Sequence, residues 1–369
     1  MFKRMFKSFF VLLFIALLNP FFVSAQEVYC NGAAGIVLDV ETGRVLYEKN
    51  IHQELPMAST TKIMTALLAI ERIPLDQQVK IHPEAVGVEG SSIYLKANEK
   101  VNIIDLLYGL MLRSGNDAAT AIAYEVSGSV EDFSQLMNQR AKEIGAKNTN
   151  FMNPHGLHHQ EHYTTAYDLS MITRAALRNP TFKKIVNTKF WLADREDYKH
   201  FSNKNKILSI CEGGDGVKIG FTKKAGRCLV ASATRNDMQF IAITLNDGDW
   251  FNTAKNLLDY HFESYKPYEV FKEGELVKGI SVKNGEKMTA QLKASKKLVV
   301  PIKDGEAERI ISIIDVQEPL YAPLMKNQRV GRILTYLDGN LINITDLTTD
   351  EDINKLSIKG KVLRFMNLR

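Results

Sequence analysis

Apolar positions change period several times along the chain, and each change predicts an element. Ala33 to Leu38 is a continuous apolar run that reads as a buried strand, with Glu41-Thr42-Gly43 as a turn and Arg44 to Tyr47 as its hairpin partner. From Ser59 onward the spacing is helical: Ile63, Leu67 and Ile70 recur on one face, and Met64 and Leu68 widen the stripe. Further helices are predicted over Ile103 to Leu112, Ala118 to Val126 and Val130 to Ile144, the last with Ser129 as N-cap and Gly145 as stop. Thr165 to Leu177 reads as another, ended by Asn179-Pro180.

Strand patterning returns after Gly213-Gly214. Val217 to Thr222, Arg227 to Ala233 and Met238 to Leu245 are separated by turns at Lys224-Ala225-Gly226 and Arg235-Asn236-Asp237, and Asn252 to Phe262 closes the region as a helix. Strands at both ends with helices between them predict an α+β domain, one antiparallel sheet with a helical insertion packed on it. Beyond Tyr265-Lys266-Pro267, short strands alternate with hairpin-type turns at Asn284-Gly285, Asp304-Gly305 and Asp338-Gly339, so a small all-β domain is expected from Tyr268 to about Leu347.

Composition then bounds the compartment and excludes some partners. Lys3, Arg4 and Lys7 precede the apolar run Phe9 to Leu18, and Val23-Ser24-Ala25 is a small-residue cleavage site, the layout of a secretory signal peptide. The expected organisation is a signal peptide over 1–25, a first domain over 26–264, a β-rich domain over 265–350 and a basic tail over 351–369, in a protein that works outside the cytoplasm. The formal charge of +5 falls to +2 without the three basic signal residues (5 − 3 = 2), which gives no electrostatic case for nucleic acid. Three cysteines, Cys30, Cys211 and Cys228, are too few for a disulfide scaffold and lack zinc-type spacing.

Three short motifs carry the chemistry. In Ser59-Thr60-Thr61-Lys62, positions i and i+3 share a helix face, so the hydroxyl and the amine can touch. A serine needs a neighbour to take its proton, and a lysine does so only when burial or a nearby cation lowers its pKa. Ser114-Gly115-Asn116 falls in the break between two helices, where a pinned loop can present a hydroxyl and an amide to a cleft. Lys218-Ile219-Gly220 lies on a strand, where a cation can hold a carboxylate and Gly220 leaves room for a substrate backbone. Singly, each motif also fits a cap, a turn or a solvated edge strand.

Taken together and in this order, they resemble the S-x-x-K, S-x-N and K-x-G motifs of the penicillin-binding serine peptidases. From about Ala33 to Phe262 the chain resembles the low-molecular-mass D-alanyl-D-alanine carboxypeptidases of that group. Further matches are Pro56 to Lys62, Leu112 to Asp117, Asn153-Pro154-His155-Gly156-Leu157, Thr165-Ala166-Tyr167-Asp168 and Asp215 to Thr222. The resemblance implies that Ser59 is acylated with Lys62 as its base, that Ser114 relays a proton to the leaving amine and that Asn116 holds the substrate backbone. It also implies that Lys218, Gly220, Phe221 and Thr222 form the substrate-binding strand, with the N–H groups of Ser59 and Phe221 as the oxyanion hole. The expected substrate is a peptidoglycan stem peptide ending in D-alanyl-D-alanine, with β-lactams as covalent inhibitors and no metal or organic cofactor. The alternatives are a D,D-endopeptidase, or a catalytically weak penicillin-binding or peptidoglycan-scaffolding protein of the same fold.

Ile219 departs from the family's usual Lys-Thr-Gly and removes a hydroxyl expected at the substrate carboxylate. His158 and His162, four apart, fit a polar loop better than a zinc site, since no Glu follows the first. The tail from Ile353 to Arg369 carries five basic residues and no acid, with Ile358, Val362, Phe365 and Met366 near helical spacing; it is expected to meet an anionic membrane surface.

Overall fold

The computed structural model describes residues 28–358 and Gly360; the signal peptide expected over 1–25 and the tail beyond Gly360 lie outside the described residues. Strands β1 (Ala34–Asp39) and β2 (Val45–Lys49) form the first hairpin, and helix α1 (Lys62–Arg72) follows a 3-10 turn at Ala58–Thr61. A ribbon of β3 (Gln78–Lys80) and β4 (Lys100–Asn102) precedes α2 (Ile103–Tyr108), α3 (Asn116–Ser127), α4 (Val130–Ile144), α5 (Ala166–Leu177) and α6 (Pro180–Asn187). A second ribbon, β5 (Phe190–Leu192) with β6 (His200–Ser202), leads through the short α7 (Ile207–Ile210) back to sheet. There β7 (Gly214–Thr222), β8 (Gly226–Arg235) and β9 (Met238–Leu245) run in succession, and α8 (Trp250–Ser264) ends the domain.

The five strands form one antiparallel sheet in the order β2-β1-β9-β8-β7. All six residues of β1 are buried because both faces of the sheet are covered. Alternation along the strand sends Ile36 and Leu38 into the core shared with the helical insertion, and Val37 into the core beneath α8. Strand β7 is an edge and borders the helical layer, and its inner face at Gly220 meets the 3-10 turn that precedes α1.

Local signals explain the helix ends. Ser129 Oγ accepts from Asp132 N at 3.0 Å, and Gly145 stops α4 with a φ of 94°. Asn179-Pro180 does more than end a helix: Asn179 Oδ1 accepts from Thr181 N and Phe182 N, and Pro180 is the first residue of α6, a helix the apolar pattern did not reveal. The segment predicted as one helix to Leu112 widens after Tyr108 into a π turn over Gly109–Arg113, which ends at Ser114 in the left-handed region (φ 65°).

The remainder is β-rich: β10 (Lys266–Phe271), β11 (Leu276–Lys283), β12 (Thr289–Ala294), β13 (Leu298–Ile302), β14 (Ile310–Val316), β15 (Leu320–Tyr321), β16 (Arg329–Leu337) and β17 (Asn340–Thr349). Six of these form a sheet in the order β14-β16-β17-β12-β11-β15, while β10 pairs with β13. Asp338-Gly339 makes the tight β16–β17 turn with both φ values positive, as its sequence predicts. Asp304-Gly305 instead leads into a 3-10 turn, because β13 and β14 pair with other strands. Arg44 fastens this region to the first sheet through a bidentate pair with Glu306 (2.8 and 2.6 Å).

Candidate active site

The tight turn at Ala58–Thr61 brings Ser59 to the mouth of the helical layer, half-buried, with Lys62 one turn below it and fully buried. Ala58 itself has a φ of 48°, and Gly156 lies against its carbonyl so closely that a Cβ there would sit 1.9 Å from the oxygen. Only glycine fits, which gives His155-Gly156-Leu157 a physical reason.

Lys62 Nζ lies 3.1 Å from Ser59 Oγ, 2.7 Å from Asn116 Oδ1 and 2.6 Å from His155 O. Burial, then the positive charge of Lys218, holds its pKa well below the ordinary lysine value; Asp117 opposes the shift and Lys204 adds to it. A neutral amine has two N–H groups and one lone pair. The two carbonyl oxygens can only accept, so they take the N–H groups and leave the lone pair for Ser59, the one partner of the three with a proton to give.

Asn116 is itself held at several points. Its N–H donates to Ser91 O at 2.7 Å, and its side-chain Nδ2 donates to Glu89 O at 2.5 Å. Next to it, the buried Asp117 carboxylate accepts from the backbone N–H groups of Ile93, Leu95 and Ala118 and from Ser92 Oγ, so the 89–95 loop is laced to the start of α3. The Asn116 amide was expected to serve substrate; both of its ends already serve the protein, leaving one N–H and one lone pair over. Ser114 is buried at the end of the π turn, and its hydroxyl makes no hydrogen bond among the described residues.

On β7, Lys218 is buried and its pKa is lowered to about 7 by burial and then by Lys204. Its Nζ donates to Ile219 O at 3.0 Å. The room beside Gly220 is taken up by the nucleophile turn: a Cβ at 220 would sit 2.8 Å from Ser59 N. Thr222 Oγ1 accepts from Ala225 N, bracing the β7–β8 turn, and Phe221 is largely exposed on the strand's other side. Ile219 alternates to that same side, where it packs against the core beneath α8.

Lys204 was not singled out from the sequence. It follows β6, its N–H donates to Leu112 O, and burial and then Arg113 lower its pKa. A single lysine in a polar loop has no pattern to mark it; its meaning comes from the fold that sets it beside Lys62 and Lys218. Lys218, Lys204 and Arg113 thus bring positive charge to the neighbourhood of the Ser59–Lys62 pair.

A family model described as D-alanyl-D-alanine carboxypeptidase matches residues 21–249. The chain belongs to the D-alanyl-D-alanine carboxypeptidase family. A second model, the C-terminal domain of penicillin-binding protein 5, matches residues 265–355 of this carboxypeptidase-family chain. It is 32% identical to the D-alanyl-D-alanine carboxypeptidase DacF of Bacillus subtilis (89% of this chain, 88% of the relative). It is also 32% identical to DacC of Escherichia coli (96% and 94%). Penicillin-binding protein 5 from Haemophilus influenzae is similar in structure, with a TM-score of 0.69 at 28% identity over 90% of this chain and all of that one. The α+β fold with its β-rich C-terminal part is that of the penicillin-binding carboxypeptidases.

Other residues of the family member fall outside this cleft. His162 is buried and not in a solvated loop, with both ring nitrogens engaged by Thr61 and Met152. Among the described residues no group of three or more His, Cys, Asp or Glu side chains is placed to hold a metal. The three cysteines are buried and unpaired. Among the described residues no helix is long and apolar enough to cross a membrane.

Proposed function

We propose that this protein removes the terminal D-alanine from peptidoglycan stem peptides through an acyl-enzyme on Ser59. The observation that carries the proposal is the contact of a fully buried Lys62, its pKa held well below the ordinary lysine value, with Ser59 Oγ, while two carbonyl oxygens accept from the same Nζ.

Neutral Lys62 takes the Ser59 proton as Oγ attacks the carbonyl carbon of the penultimate D-alanine. The tetrahedral oxyanion is met by the N–H groups of Ser59 and Phe221. Support for Phe221 comes from strand alternation: Ile219 O receives Lys218 Nζ, and the N–H two residues on points the same way. Lys218, with Lys204 behind it, attracts the substrate's terminal carboxylate. Ser114, whose hydroxyl is uncommitted, relays to the departing D-alanine amine the proton that Lys62 took from Ser59; water then releases the acyl group. A β-lactam enters by the same first step. The relatives' cell-wall role and the basic, apolar N-terminal segment support an extracytoplasmic protein, and the basic tail supports contact with the membrane's outer face.

The test is release of D-alanine from a stem pentapeptide. Wild-type protein is expected to release it and Ser59→Ala to release none. Release by the alanine variant at the wild-type rate, or none by either, contradicts the proposal, and cleavage of a cross-linked dimer alone would make the protein an endopeptidase.

A further inference from the structure

His162 joins two limbs of the site through a directed chain of hydrogen bonds. Met152 N–H donates to His162 Nδ1 at 3.0 Å, so Nδ1 carries the lone pair and Nε2 the proton. Nε2 lies 2.8 Å from Thr61 Oγ1 and therefore donates to it; the Thr61 hydroxyl in turn donates to Ala58 O at 2.8 Å. One end of the chain is the residue before Ser59, held in the left-handed region. The other end opens the 152–157 loop, whose Pro154 O accepts from Thr65 Oγ1 and whose His155 O accepts from Lys62 Nζ, each at 2.6 Å. Thr61, Lys62 and Thr65 are all buried, so no water offers an easy substitute.

We propose that His162, as the neutral Nε2–H tautomer, is a positioning residue for acylation: it fixes the Ala58–Ser59 backbone against the loop carbonyl that aims the Lys62 lone pair. The inference rests on Ser59 and Lys62 being nucleophile and base. The groups that face His162 are the edge of the Phe151 ring, at 5.8 Å between centroids, and the charges or potential charges of His159, His158 and Lys62. Burial first, then those three, keep its pKa near 3. A second proton would place an N–H against the Met152 N–H and break the chain; at any pH above about 4 the lock holds.

The experiment measures acylation by a fluorescent penicillin across pH, with thermal unfolding beside it. His162→Asn keeps an acceptor for Met152 but cannot reach Thr61, and Thr61→Val cuts the same link from the other side. Each is expected to slow acylation roughly 10–100-fold, the scale set by displacing a reacting group by about 1 Å. The double variant is expected to be no slower than either single one. His162→Gln, whose amide reaches Thr61, and Thr61→Ser, which keeps the hydroxyl, recover most of the rate. Loosening the loop lets water reach Lys62 and relieves its burial, so the ascending limb of the rate profile moves to higher pH in the slow variants. A destabilised but otherwise intact site would not move that limb. Wild-type rates and an unshifted limb in His162→Asn and Thr61→Val overturn the inference, as does a loss that only tracks the unfolding temperature. If the wild-type protein itself takes no label, it is the assignment of Ser59 and Lys62 that fails instead.

Discussion

Gly220→Ala adds one methyl group where the sheet edge meets the nucleophile turn. The new Cβ would lie 2.8 Å from Ser59 N and 3.1 Å from both Thr60 N and Ala58 Cβ, against an ordinary contact limit of 3.4 Å. Relief therefore requires a displacement of about 0.6 Å (3.4 − 2.8). None of the three neighbours is the yielding end of a long side chain, and Ala58 is already pinned by Gly156 and Thr61. Either β7 moves out, taking Lys218 from the cleft, or the turn moves in and shifts Ser59 against Lys62. Overpacking of this kind costs about 1–3 kcal/mol of stability. A displacement approaching 1 Å at a reacting group costs up to about 100-fold in rate. We expect penicillin acylation, followed by stopped-flow fluorescence, to fall by at least about 10-fold while the protein stays folded by circular dichroism. Acylation within about twofold of wild type would refute the claim that β7 sets the nucleophile's position.

Lys204→Met removes a cation that depresses both Lys62 and Lys218. Both pKa values should rise, so less neutral Lys62 is present at a given pH and the ascending limb of the acylation profile moves up; an unmoved limb would contradict that role. Ile219→Thr should lower the unfolding temperature, because it removes a methyl group from the core beneath α8 and puts a hydroxyl in place of a methylene there, at a cost of about 1–3 kcal/mol. Because this side chain faces away from Gly220 and the nucleophile turn, the substitution should leave the preference for a carboxylate-ended peptide over its amide unchanged. A gain confined to the carboxylate-ended peptide would contradict that placement.

Much of this was legible in the sequence because it is local. Ser129, Gly145 and Thr165 act on their own helix ends, and the nearly continuous apolar runs of β1 and β9 follow from burial on both faces. The three motifs were legible as residue types, but their partners were not. Nothing in the spacing says that Asn116 spends its amide on Lys62 and Glu89, that Gly220 makes room for Ser59, or that Lys204 lies near Lys62. Each of these links segments that are distant in the chain. His162 shows the same limit: its segment is polar, yet the ring is buried because Thr61, about a hundred residues earlier, offers it a partner. Helix α6 was hidden because Asn179-Pro180 serves both as a stop and as a start.

The most direct measurement is the mass of the protein and of its peptides after exposure to penicillin. The intact chain should gain the mass of one penicillin, and digestion should place it on the peptide that contains Ser59, with no gain in Ser59→Ala. An unmodified chain, or an adduct on any other residue, would contradict the account at its root.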